Sequence, residues 1–159
     1  MLGDQFVAAC RDNMLEYVEE KLHRGMDIEA VDSTESTGMH LAAAHEHIDM
    51  MELLLKGKAK IDARNKNMET PLLVATRKGA WKSVQFLIEK GADKHAMDRH
   101  RRPPLMYAIL NKDARMVNYF LRQWNIVNCQ DYHWGWSPLH FAAYVGSLDI
   151  CKILIQKKA

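Results

Sequence analysis

Between Thr70 and Gly91 the apolar positions recur at helical spacing in two short runs. Leu72 and Ala75 share one face, and Val84, Leu87 and Ile88 share another. Thr70 can accept a hydrogen bond from a free N–H of the first turn, and Pro71 sits at the first helical position, where its missing N–H costs nothing. Gly79 breaks the first run and Gly91 supplies a left-handed stop to the second. The pattern predicts a pair of short helices, the second starting at about Trp81. A short polar stretch follows that reads as a hairpin.

The same pattern returns along the whole chain. Thr37-Gly38-Met39-His40, Thr70-Pro71-Leu72-Leu73, Pro103-Pro104-Leu105-Met106 and Ser137-Pro138-Leu139-His140 begin 33, 33 and 34 residues apart. Gly25-Met26-Asp27, Lys58-Ala59-Lys60, Gly91-Ala92-Asp93 and Trp124-Asn125-Ile126 recur every 33 residues in the same phase. Stepping back one period from Thr37 reaches Asp4, and Phe6, Ala9 and Leu15 then fall in the apolar phase. The period predicts a single domain of about five units over residues 1–159: a capping unit 4–32, then 33–65, 66–98 and 99–131, and an incomplete unit 132–159.

Motif, period and helix pattern together resemble the ankyrin repeat family. Thr70-Pro71-Leu72, Ser137-Pro138-Leu139-His140-Phe141-Ala142-Ala143 and Gly91-Ala92-Asp93 carry the likeness, which extends from Asp4 to about Lys157. The resemblance implies an all-α repeat solenoid of helix pairs joined by hairpin loops, each pair closing its core against its neighbours. It places Leu72 and Leu139 between repeats, and it gives His40 and His140 the task of orienting backbone and hydroxyl groups.

The units also depart from the motif. Gly38 stands in place of the proline, Pro103 in place of the capping Thr, and Leu73 and Met106 in place of the histidine. Trp124 occupies a glycine position, where Asn125 is expected to take the left-handed conformation instead. The last hairpin carries one extra residue within Tyr132 to Trp136. The polar first helix, with Arg11, Asp12 and Asn13, suits a capping repeat, and the 159 residues read slightly better as part of a longer chain than as a whole protein.

Composition narrows the function classes. With 22 basic and 20 acidic residues the net charge is only +2, which excludes a surface devoted wholly to nucleic acid. No apolar run is long enough to span a membrane, and Met1 to Cys10 lacks the basic cluster of a secretory signal. Three cysteines, Cys10, Cys129 and Cys151, fit neither a disulfide framework nor a metal pair. They point to reduced thiols and an intracellular setting, cytoplasmic or nuclear. Cys10 and Cys151 fall at apolar helical positions and are expected in the core; Cys129 falls in a hairpin arm and is expected to be reachable. His40, His45 and His47 lie close together, but the motif accounts for His40 and His47, so no metal is expected. No nucleophile elbow, phosphate loop or carboxylate pair appears, and neither catalysis nor a cofactor is expected. Met39, Met50, Met51, Met106 and Met116 read as core filling.

Arg99-His100-Arg101-Arg102 is the densest charge run. The resemblance implies that partners bind in a concave groove lined by hairpin tips and by the exposed side of each first helix. Carried over position by position, that groove collects Arg11, Arg64, Lys66, Arg77, Lys78, Arg99 and Arg102 against Asp12 and Glu69, a balance of +5 where the whole chain carries +2. Arg99 and Arg102 are expected as removable surface charges continuing the positive strip of Arg77 and Lys78, with His100 beside them. Trp136 is expected to pack on its hairpin, whereas Trp134 and Tyr144 are candidate exposed anchors. The reading that follows is a monomeric, non-enzymatic module that binds an acidic, partly apolar segment of another protein. Nucleic acid on the same basic strip is the alternative.

Overall fold

A computed structural model describes residues 2–123 and 127–158. The expected left-handed turn at Trp124 and Asn125 lies outside the described residues. Among the described residues ten helices follow in chain order: α1 (Leu2–Arg11), α2 (Leu15–His23), α3 (Gly38–Ala44), α4 (Ile48–Lys56), α5 (Pro71–Lys78), α6 (Trp81–Glu89), α7 (Pro104–Leu110), α8 (Ala114–Gln123), α9 (Pro138–Tyr144) and α10 (Leu148–Gln156). They fall as consecutive pairs at the period read from the sequence, although α1 begins two residues ahead of Asp4. The fold is an all-α repeat fold. Its extended backbone among the described residues is limited to an isolated bridge between Val31 and Thr37.

The chain forms two compact units, Met1–Lys94 and His95–Ala159. In the first, α1 packs on α3 and α3 on α5, while α2 meets α4 and α4 meets α6. Phe6, Met39, Met50, Met51, Leu54, Leu72, Leu73 and Leu87 are fully buried between these layers. In the second, α7 packs on α9 and α8 on α10, over a core of Met106, Ile109, Met116 and Phe120. The methionines expected to fill the core do so.

Local chemistry explains the boundaries. The Thr70 hydroxyl accepts from the Leu73 N–H at 3.4 Å, with Pro71 at the first helical position. Gly79 closes α5 in the left-handed conformation, at φ 72°. Pro103 opens α7 with the same extended backbone but has no hydroxyl to accept from the first turn. Gly38 has a packing reason: a Cβ there would lie 2.6 Å from the Cys10 Sγ.

Two burial expectations need correction. Leu72 is fully buried, but Leu139, its counterpart in α9, is only half-buried. Cys151 is likewise half-buried in α10 rather than in the core, while Cys10 is completely enclosed. Burial pushes the Cys10 thiol up to about 12. Cys129 is also only half-buried, and burial pushes its thiol up to about 11.

Candidate functional site

The hairpin tips share one construction. Asp32, Asn65, Asp98 and Asp131 recur every 33 residues, and each uses its Oδ1 to gather two backbone N–H groups of the same tip. Asp32 accepts from Thr34 at 2.8 Å and Ser36 at 3.1 Å; Asn65 from Asn67 at 2.9 Å and Glu69 at 3.0 Å. Asp98 accepts from His100 and Arg102, both at 2.8 Å; Asp131 from Trp134 at 3.2 Å and Trp136 at 2.8 Å. Glu35, Met68, Arg101 and Gly135 take the left-handed turn within the tips, at φ 59°, 59°, 59° and 65°. Burial works against the Asp32 carboxylate, but the bonds from Thr34 and Ser36 prevail and hold its carboxyl below the usual range. These four residues form a third periodic landmark beside the motif and the glycine positions.

Neighbouring tips are tied together within each unit. In the first, the Lys66 N–H donates to the Thr34 carbonyl at 3.0 Å. His40 adds a side-chain tie: its Nδ1 accepts from the Thr37 N–H at 3.1 Å, and its Nε2–H donates to the Glu69 carbonyl at 3.0 Å. That arrangement requires the neutral imidazole, and burial lowers the His40 pKa accordingly. His140 repeats only the first half, bonding the Ser137 N–H and hydroxyl of its own cap. In the second unit the Tyr132 N–H donates to the His100 carbonyl at 2.8 Å. The His47 Nε2–H donates to the Arg11 carbonyl at 2.7 Å and the His45 ring stacks on it. Among the described residues no group of His, Cys, Asp and Glu is placed to hold a metal ion.

The basic residues fall into two kinds. Arg64, Lys66, Lys78 and Arg99 are exposed, and Arg64 also donates to the Met68 carbonyl at 2.9 Å. Arg77 and Arg102 are different. The Arg77 Nε lies 2.7 Å from Oε1 of Glu69, a side chain only 4% exposed. The Arg102 Nη2 lies 2.9 Å from Oδ2 of Asp98, which is 2% exposed, and its Nε lies 3.0 Å from the same oxygen. The Tyr107 hydroxyl donates to that oxygen at 2.7 Å, and the Arg102 guanidinium sits over the Tyr107 ring. Arg102 is therefore not a removable surface charge, and Arg77 already neutralises a buried carboxylate. Sequence spacing alone gave no sign that Glu69 and Asp98 were buried.

The aromatic residues converge in the second unit. Trp136 packs edge-on against Phe141 at 5.3 Å, as a hairpin-packing aromatic should, and also touches Trp134 at 5.2 Å and Tyr144 at 5.3 Å. Trp134 is 61% exposed and Tyr144 73% exposed. The positions that hold the Glu69–Arg77 ion pair in one repeat hold the Trp136–Tyr144 ring pair in the last.

A family model described as ankyrin repeats (3 copies) matches residues 6–98 and again 94–159. The chain belongs to the ankyrin repeat family. It is 34% identical over 135 residues to the B-cell lymphoma 3 protein homolog of Mus musculus, a match covering 82% of this chain and 30% of that protein. It is 28% identical over 154 residues to ankyrin repeat and SOCS box protein 3 of Bos taurus, covering 95% of this chain and 29% of that protein. The Xenopus laevis nuclear factor NF-kappa-B p100 subunit is 28% identical over 137 residues, covering 79% of this chain and 14% of its own length. The chain thus spans under a third of these relatives. Ankyrin repeats are in general protein-interaction modules, and no described helix is long and apolar enough to cross a membrane.

Proposed function

We propose that this chain is a non-enzymatic protein-binding module whose partner contributes an acidic, partly apolar segment. The observation that carries the reading is chemical: exposed cations on tips and first helices (Lys66, Lys78 and Arg99) accompany an exposed aromatic group at Trp134 and Tyr144. Arg64 in the first unit and His100 in the second are further candidate contacts. Arg77 and Arg102 act mainly by fixing the tips, and their charge reaches a partner only through the ion pairs they already make. Rigid display of charge raises association rate and specificity more than affinity. The single five-unit domain, the monomeric state and an intracellular location form part of the same proposal, the last in keeping with the three free cysteines.

The test is capture of partners from cell extract by the wild-type protein, by Lys66→Glu/Lys78→Glu and by Lys82→Glu/Lys90→Glu, with and without nuclease. The reading expects protein partners that survive nuclease and are lost only with the first variant. Loss on nuclease treatment, with a steep fall in salt, favours the nucleic-acid alternative. Equal capture by all three proteins refutes the charged surface.

A further inference from the structure

Asp98 and Asp131 hold the same place in consecutive tips, yet only Asp98 has both oxygens engaged. Its Oδ2 receives Arg102 and the Tyr107 hydroxyl. One repeat later, with the inserted residue counted, Trp136 stands for Arg102 and Phe141 for Tyr107. Neither replacement can reach a carboxylate with a comparable donor, since the Trp136 ring is turned into the Phe141 and Tyr144 cluster. The Oδ1 of Asp131 still closes its tip, but Oδ2 accepts no hydrogen bond among the described residues, although Asp131 is only 5% exposed.

That carboxylate lines a cavity of about 240 Å³ together with His100, Arg102, His133 and Trp134. The walls are two adjacent tips, held at fixed spacing by the Tyr132 N–H on the His100 carbonyl. Arg102 is committed to Asp98, so among the described residues Asp131 Oδ2 has no cation bonded to it. Trp134 adds an exposed ring, braced by His133 at 4.8 Å and Trp136 at 5.2 Å. An aromatic face beside an unmatched carboxylate suits a cation that also donates hydrogen bonds.

We propose that this inter-tip pocket receives an arginine side chain of the partner, its guanidinium donating to Asp131 Oδ2 and stacking on Trp134. The partner is then not uniformly acidic: one basic residue enters the pocket while its acidic residues meet exposed cations such as Arg99. The inference rests on the protein-binding reading, but its test uses no partner, so the two fail separately.

N-acetyl-arginine amide is titrated into the full chain, with the Trp134 and Trp136 backbone amides and the Trp134 indole N–H followed by NMR. N-acetyl-citrulline amide supplies a neutral isostere and N-acetyl-glutamate amide an anion. The arginine probe is expected to saturate at about millimolar concentration, and citrulline to bind at least about tenfold more weakly, because charge-assisted hydrogen bonds are the stronger kind. Asp131→Asn is the decisive variant. Asn65 already closes its own tip through Oδ1, so the fold survives the change while Oδ2 becomes an amide donor. It is expected to abolish arginine binding, and Trp134→Ala to weaken it. Tighter binding of the glutamate probe, arginine binding unchanged in Asp131→Asn, or no saturable shift overturns the proposal.

Discussion

Removing the Arg102 side chain tests whether the charge run is surface or structure. In Arg102→Met the alkyl stem over Tyr107 is largely kept, but the donors at 3.0 and 2.9 Å from Asp98 Oδ2 are lost. Asp98 keeps the Tyr107 hydroxyl and two backbone N–H groups, so it is not stranded. A hydrogen bond to a charged group contributes about 1.5–3 kcal/mol, and breaking a fully buried pair costs about 3–5 kcal/mol. Arg102 is 24% exposed, which puts the expected loss near the lower range, about 2 kcal/mol. Arg102→Glu sets a second carboxylate against Asp98 and costs more. Lys78→Glu, on the exposed end of α5, is expected to stay within about 0.5 kcal/mol. Urea unfolding followed by tryptophan fluorescence reads all three. In the Asp98→Asn background the Arg102→Met penalty shrinks, since the charged acceptor is gone. An Arg102→Met midpoint equal to wild type refutes the structural role assigned to this ion pair.

Three further outcomes follow from burial. Leu72→Ala costs about 2–5 kcal/mol and the half-buried Leu139→Ala distinctly less; equal shifts in unfolding midpoint contradict the packing described for α5 and α9. Because the folded His40 pKa lies below its unfolded value near 6.5, the stability gained from a neutral His40 is complete above that pH and is lost as pH falls toward the folded pKa, by at most about 1.4 kcal/mol per pH unit. Urea unfolding between pH 7 and pH 5 should show that excess slope in wild type and not in His40→Gln, and identical slopes disprove it. A thiol reagent with peptide mapping should modify Cys151 and Cys129 in the native protein and Cys10 only on unfolding, with Cys129 slowed by its raised pKa; early modification of Cys10 contradicts its enclosure.

The repeat was legible because it is written in local chemistry. Thr70, Pro71 and Gly79 act on backbone groups a few residues away, so their spacing carries the helix boundaries directly. Asp32, Asn65, Asp98 and Asp131 were equally visible at a period of 33, but isolated polar residues near a turn look like solvated surface until their N–H partners are known. The ion pairs were not legible. Glu69 and Arg77 are eight residues apart, and only the folded tip brings them to 2.7 Å and closes Glu69 from water. Leu139 and Cys151 follow the apolar phase faithfully, but phase reports which face turns inward and not whether a neighbour covers it. The exposure of Lys66, Lys78, Trp134 and Tyr144 could be read from the repeat phase, whereas the ion pairs that hold Arg77 and Arg102 could not.

In the proposed function, exposed charge on tips and first helices, rather than charge in general, recruits the partner. The most direct measurement is the association rate of an isolated partner with wild type, Lys66→Glu/Lys78→Glu and Lys82→Glu/Lys90→Glu at low and high salt. Charges act over about 8 Å at physiological ionic strength. Only the first variant is expected to slow association, by a difference that narrows as salt rises. Two double variants slowed equally, or a defect indifferent to salt, contradict it.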